Sequence, residues 1–393
     1  MNKIIVLPLL CSFLLANELD ILNEEKKELR KIGKDVIIEE YNSTKDDWIG
    51  TINLNSNLEN SYDLKNNENG DISKNIGLSF SQSIYESGGI EYSIEYAKQQ
   101  LNSDLLAWEN ENYTILQTVY ETLLNIKKLQ FQITQGEYTL KNLDIELILK
   151  RIQYEAGKTD IIELNNAVMS KNNQIKENIS LKNSLKEQEY ELSKYTNFKS
   201  NEIKILDFKI INKEKFIKEN LDIKYEDSKV TLLNISHKQL KASYLPKVTV
   251  STSTNYQHNE SSNENSDASF GLNFSMPIFD ITKEKKNQKS KLEVLKQKIN
   301  INDLVNQLTY EYEQILTQID TYDEYEKTIK QNLKLYDDLI MVNKSSNDAG
   351  MTSAYDLEIL QNTKNINEYD LQINEINKKL QYTKLYFKTK VSI

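Results

Sequence analysis

The side chains able to do catalytic or metal chemistry are few and scattered. The 393 residues include two histidines, His237 and His258, and one cysteine, Cys11. Neither histidine has a second ligand at the spacing a zinc or copper site uses, so surface placement is expected for both. A lone cysteine offers no disulfide and no redox pair. The acidic pairs Asp46-Asp47 and Asp337-Asp338 lie in no pattern that would set one carboxyl apart as a general acid, and they read as solvated. No glycine-rich phosphate loop is present, so the chain is not expected to hydrolyse nucleotides. The balance of 49 Lys plus Arg against 59 Asp plus Glu gives a net charge of −10, which argues against nucleic acid as a partner. No catalytic residue, cofactor or metal is expected, and the chain is not expected to be an enzyme.

The patterned polar residues are neutral ones, alternating with apolar residues in four stretches. Trp48, Gly50, Ile52, Leu54, Ser56 and Leu58 alternate with Thr and Asn. Ile72, Ile76, Leu78, Phe80 and Ile84 alternate with Ser73, Asn75, Gly77, Ser79, Ser81 and Ser83, with Lys74 and Gln82 as exceptions. Val248, Val250 and Tyr256 oppose Thr249, Ser251, Ser253 and Asn255, while Ala268, Phe270, Leu272, Phe274, Met276 and Ile278 oppose Ser269, Gly271, Asn273 and Ser275. A period of two predicts strands at about 48–58, 72–84, 247–257 and 267–278, each with one greasy and one wet face. The links Glu59 to Asp71 and His258 to Asp267 are expected to be exposed loops.

Two spaced motifs show that the chain is duplicated. Ile76 to Glu86 aligns without a gap on Phe270 to Asp280, at the offset between Gly77 and Gly271, and Ala156-Gly157-Lys158-Thr159 answers Ala349-Gly350-Met351-Thr352. Each half reads as helix, β-hairpin, one very long helix, glycine turn and helix. The expected boundaries are 17–197 for the first repeat, 198–212 for a connector without periodicity, and 213–390 for the second repeat. The long helices are expected at about 90–156 and 283–349, the shorter ones at about 159–195 and 353–388. Only 10 Gly and 3 Pro interrupt the whole chain. The ladder Ile301, Val305, Leu308, Tyr312, Ile315, Ile319, Tyr322 keeps a 3.5-residue stripe that asks for a helical partner. In the first long helix a second stripe, Leu106, Tyr113, Leu116, Tyr120 and Leu123, asks for a neighbour on another side.

The N-terminus reads as a signal peptide over residues 1–16: Lys3, then the apolar run Ile4 to Leu15, then a cleavage site after Ala16. Leu10 stands before Cys11 where a lipoprotein signal needs a small residue, so lipidation is not expected. With export in place, four strands of about ten residues have the length to cross a hydrocarbon layer. Their outward, lipid-facing positions would be Ile52, Leu54, Ile76, Leu78, Phe80, Val248, Val250, Phe270, Leu272 and Phe274. An ordinary sheet with its apolar face on a helix has the same alternation. Sheet edges cannot face lipid, so such strands must close a barrel, and four are too few for one. Several copies would have to pool them.

The hairpin and long-helix duplication, the Tyr244-Leu245-Pro246-Lys247-Val248 entry to the third strand, the Phe274-Ser275-Met276-Pro277-Ile278-Phe279-Asp280 exit of the fourth, and the Ala-Gly-x-Thr turns resemble the TolC-like outer membrane efflux proteins. The resemblance implies a mainly α fold with a small β part. In that arrangement a homotrimer shares one barrel in the outer membrane of a Gram-negative bacterium, continuous with an α-helical barrel through the periplasm. It implies a passive exit duct of a tripartite efflux pump or type I secretion system, partnered by a periplasmic adaptor protein and an inner-membrane RND or ABC transporter. It also implies that Tyr154, Ala156, Gly157, Lys158, Thr159 and Asp160, with Ala349, Gly350, Met351 and Thr352, form the periplasmic mouth and adaptor contact. Asp356 takes the place of an acidic pore constriction. Ile359 stands where a second acidic residue is found in the family, and Asn347 and Thr352 stand where latch residues are found. The alternative is a non-channel structural or adhesive coiled-coil surface protein, in which the strands would be dispensable.

Overall fold

A computed structural model describes residues 19–63, 68–259, 264–348 and 351–389. The expected signal peptide and the tip residues Ala349 and Gly350 lie outside the described residues. The elements run α1 (Glu24–Thr44), β1 (Ile52–Asp63), β2 (Glu68–Tyr85), α2 (Gly89–Glu155), α3 (Ile161–Ser193), α4 (Lys213–Lys218), α5 (Leu221–Ala242), β3 (Lys247–Asn259), β4 (Asn265–Ser275), α6 (Lys283–Asp348) and α7 (Ala354–Tyr386). The chain is mainly helical with one small sheet, and its helix, hairpin, long helix, helix plan occurs twice. Among the described residues no helix is long and apolar enough to cross a membrane.

Helix starts follow from local chemistry. Asp160 caps α3 by accepting the Glu163 N–H at 2.9 Å, and Asn212 caps α4 by accepting the Lys215 N–H at 2.8 Å. Ser353 and Asp356 form a reciprocal capping box at the start of α7.

The chain divides into two compact units. One comprises Met1–Arg30, Glu109–Asp222 and Val305–Ile393. Its core joins Tyr113, Leu116, Val119, Tyr120, Leu123 and Ile126 of α2 to Leu22, Leu192, Leu221, Ile376, Tyr386 and Phe387. Tyr113, Leu116, Tyr120 and Leu123 of the expected stripe are therefore buried, and Val119 and Ile126 of the same helix are buried with them. Phe208 sits among Tyr120, Tyr386 and Phe387, with ring centroids 5.6, 5.3 and 5.7 Å away. The aperiodic connector thus supplies a core aromatic. Along α6 the buried residues are Leu308, Tyr312, Ile315 and Ile319, four successive rungs of the expected ladder.

The other unit comprises Lys31–Trp108 and Ile223–Leu304 and contains the sheet. Here α2 and α5 approach through small residues: Ala97, Ser103, Ser228 and Ala242 are buried, and the Ser228 hydroxyl meets that of Ser103 at 2.9 Å. The sheet has the order β1-β2-β3-β4, antiparallel throughout, so β2 and β3 join the two hairpins in register. At the helix-side end two expected boundaries move. Trp48 and Gly50 precede β1, because the Gln82 side chain accepts the Gly50 N–H at 2.8 Å and donates to the Trp48 carbonyl at 3.0 Å, replacing ladder bonds. Met276 and Ile278 follow β4, which ends at the Lys247–Ser275 pair because Pro277 has no N–H to continue it. At the far end the strands run further than expected, β1 to Asp63 and β2 from Glu68.

Candidate functional site

The pairing register assigns each strand residue to a face. Across the sheet Ile52 pairs with Phe80, Phe80 with Thr252 and Thr252 with Phe270; Leu54, Leu78, Thr254 and Ala268 form the next row. Gln82, Val250 and Leu272 form another, and Val248 pairs with Phe274. Ile76 joins the same face opposite Ser56 and Tyr256. All ten apolar positions named from the sequence therefore share one face. That face is uncovered: Ile52 is 73% and Phe270 75% exposed, and Leu54, Ile76, Leu78, Leu272 and Phe274 are also exposed. Phe80, Val248 and Val250 are half-buried.

The opposite face carries the rows Asn53–Ser79–Ser253–Ser269, Asn55–Gly77–Asn255–Asp267 and Ser81–Ser251–Gly271. Its side chains bond to one another: Asn55 donates to Ser79 at 3.2 Å, and the Ser253 and Ser269 hydroxyls lie 2.8 Å apart. Asp267 is the single charge in these three rows. A neutral, hydrogen-bonding surface of this kind suits water.

The helix-side root of the sheet is fastened by contacts that alternation does not reveal. The Ser87 hydroxyl donates to the Pro246 carbonyl at 2.7 Å, tying the end of one hairpin to the start of the other, and Lys247 pairs with Glu86. Tyr244 donates its hydroxyl to Asp280 at 2.9 Å. Asp280 also accepts the hydroxyl and backbone N–H of Thr282, both at 2.7 Å, and Lys286 approaches it at 3.3 Å. The Thr282 hydroxyl and N–H, then Tyr244 and Lys286, hold the Asp280 carboxyl well below the usual range.

At the first helix turn Gly157 has φ +68°, the left-handed conformation that ends α2. The Gly157 N–H bonds to Tyr154 O at 2.9 Å and the Lys158 N–H to Gln153 O at 2.8 Å, while Lys150 pairs with Glu163 at 2.9 Å. Tyr154, Ala156, Lys158 and Asp160 are exposed and Thr159 is half-buried. At the second turn the Met351 N–H bonds to Ser346 O at 2.8 Å, and the side chain of Asn347 donates to Thr352 O at 3.0 Å. Asp356 is exposed, and its carboxylate accepts the Ser353 N–H at 3.1 Å.

The two histidines are not brought together. His237 Nδ1 lies 3.1 Å from the Ser290 hydroxyl, and burial, then Lys241 and Lys291, lower its pKa. His258 sits in β3 opposite Lys74, 3.7 Å from Glu264. Asp337 pairs with Lys364 at 2.7 Å. Among the described residues no group of three His, Cys, Asp or Glu could hold a metal ion.

Two polar features of the helical unit carry no signal in a hydrophobic ladder. Gly136 of α2 faces Asn178 of α3, and Gln135 donates to Asp370 at 2.6 Å.

The family model for "Outer membrane efflux protein" matches residues 35–197 and 215–384. No curated protein matches this chain by sequence. Among solved structures, CusC, which forms a transmembrane channel, aligns over 95% of this chain and 91% of its own, with TM-score 0.71 and 14% identity. The Vibrio cholerae outer membrane protein VceC aligns over 94% and 95%, with TM-score 0.71 and 12% identity. The open Neisseria gonorrhoeae MtrE outer membrane channel aligns over 95% and 87%, with TM-score 0.70 and 14% identity.

Proposed function

The chain belongs to the outer membrane efflux protein family, and on that premise we propose that three copies pool their strands into one barrel and serve as the passive exit duct of an export assembly. The observation that carries the reading is the sheet itself. A face of Ile, Leu, Val and Phe stands open beside a neutral Ser, Thr and Asn face. In water, burying such side chains is worth roughly 25 cal/mol per Å². A helix laid over them would have collected that energy, and Phe270 instead remains exposed. Acyl chains supply the missing cover.

The strand count supports pooling. Among the described residues β1 and β4 each pair on one side only, and an unpaired edge costs several kcal/mol per orphan group in lipid. Three copies would close twelve strands, with the Ser, Thr and Asn rows lining a water-filled lumen. The helices would extend through the periplasm, and the two turns would form the mouth that meets a periplasmic adaptor. Tyr154, Ala156 to Asp160 and Ala349 to Thr352 would make that contact, with an RND or ABC transporter in the inner membrane supplying energy. Three copies of Asp356 would ring the mouth and favour cations.

Planar-bilayer recording of the purified protein tests the reading. Discrete conductance steps are expected, and their absence under every gating condition overturns it.

A further inference from the structure

The first turns of α6 are out of character with the rest of the chain. From Lys283 to Lys298 there are seven lysines and two glutamates, in a protein of net charge −10. Lysine in the first turn of a helix opposes the helix dipole, which favours anions there. Residues that break a local rule in this way are commonly kept for a use outside the fold.

Only part of this charge is answered within the chain. Lys286 reaches Asp280 at 3.3 Å and Lys289 reaches Glu293 at 3.7 Å, while Lys283 lies over the Tyr244 ring at 5.1 Å. The positive field extends to α5, where Lys241 and Lys291 reinforce burial in lowering the pKa of His237. Lys285 and Lys289, one turn apart, share a helix face, and both are exposed.

Immediately before these lysines the chain presents bare apolar side chains. Ile278, Phe279 and Ile281 are 95%, 84% and 82% exposed. Ile278 keeps the alternation of Phe274 and Met276 beyond the end of β4, and Phe279 and Ile281 stand bare beside it. Their turn is not frayed, because Asp280 in its middle is held by Tyr244, Thr282 and Lys286.

We propose that Ile278 to Lys289 is an interfacial anchor for anionic glycerophospholipid. Lys285 and Lys289 bind headgroup phosphates of the leaflet on the helix side, and Ile278, Phe279 and Ile281 enter the adjoining acyl layer. Charge complementarity identifies the headgroup, and continuity with the outward face of β4 identifies the acyl layer. The inference rests on the reading of the sheet as lipid-facing.

The test uses the full-length protein in phosphatidylcholine nanodiscs with increasing phosphatidylglycerol, with retained lipid read by native mass spectrometry. Wild type is expected to retain phosphatidylglycerol selectively. At about five-fold per lysine, the Lys285→Gln/Lys289→Gln variant should need roughly 25-fold more of it for equal retention. High salt should erode the preference in wild type. Phe279→Trp should gain fluorescence that brominated acyl chains quench. The proposal is overturned if wild type shows no anionic preference, if the double variant keeps it, if the indole introduced by Phe279→Trp is not quenched, or if the double variant loses its oligomeric state, which would assign this face to a second copy. A wild type that conducts without anionic preference sinks the anchor alone, whereas one that neither inserts nor conducts sinks the channel beneath it.

Discussion

A Cβ added to Gly136 would stand 2.1 Å from the Asn178 Oδ1 atom, so α2 and α3 meet where one side has no side chain. Gln174 holds that oxygen through a 2.9 Å hydrogen bond. Gly136→Ala should gain about 1 kcal/mol of helix propensity and lose a similar amount by displacing Asn178 from its partner. The substitution is therefore expected to be nearly neutral alone, and stabilising by about 1 kcal/mol in an Asn178→Ala background. Denaturant midpoints of the four proteins give the coupling; strict additivity would show that the contact carries no energy.

Leu78 and Ser79 are neighbours in β2 on opposite faces. An arginine at the bilayer midplane on the lipid side costs about 2–4 kcal/mol, whereas the lumen accepts charge. Leu78→Arg should deplete the membrane-inserted fraction. Ser79→Arg should insert normally and shift the reversal potential toward anion preference. Equal insertion of the two variants would refute the facing assigned to the sheet.

Asp280 has a folded pKa depressed below its ordinary value of 3.8 by Thr282, Tyr244 and Lys286. A depressed carboxylate contributes stability that is fully present above the ordinary value and is lost as pH falls through the folded one. Asp280→Asn should therefore lower the apparent melting temperature at neutral pH by an amount that stays constant on acidification to about pH 4. Below that the gap to wild type should narrow. A gap that persists undiminished in stronger acid would contradict the assigned contacts.

Asp356 is both the candidate constriction and the third helical residue of a capping box. If three carboxylates ring the mouth, Asp356→Asn should lower cation preference. Ser353→Ala, which removes only the cap at a cost of about 1 kcal/mol, should leave selectivity alone. Unchanged reversal potentials in Asp356→Asn would take this residue out of the pore.

What the sequence discloses and what it conceals follow from the range of each interaction. Alternation in β2 and β4 and the ladder from Leu308 to Ile319 are set by which face is wetted, so they are written in the order of residues. The start of β1 falls later than alternation predicts because Gln82 reaches back 32 positions to the Gly50 N–H, a contact no local window contains. Phe208 is invisible to pattern for a similar reason. Its segment has no period, yet it fills a gap among Tyr120, Tyr386 and Phe387. The turn at Gly157 is readable because its positive φ singles out one residue type, whereas the Tyr244–Asp280 bond at the root of the sheet joins two residues whose types suit many surroundings.

Among the described residues the outer flanks of β1 and β4 pair with no strand, which in the proposed barrel would make each subunit answerable to its neighbours. In the proposed twelve-stranded barrel a half-inserted subunit would have nowhere to hide its backbone amides, so closure and entry into the bilayer would occur together. A copy carrying a proline in the middle of β1 would spoil whichever ring admits it. Co-produced in equal amounts with wild type, it would leave about one ring in eight intact, and the defect would be genetically dominant.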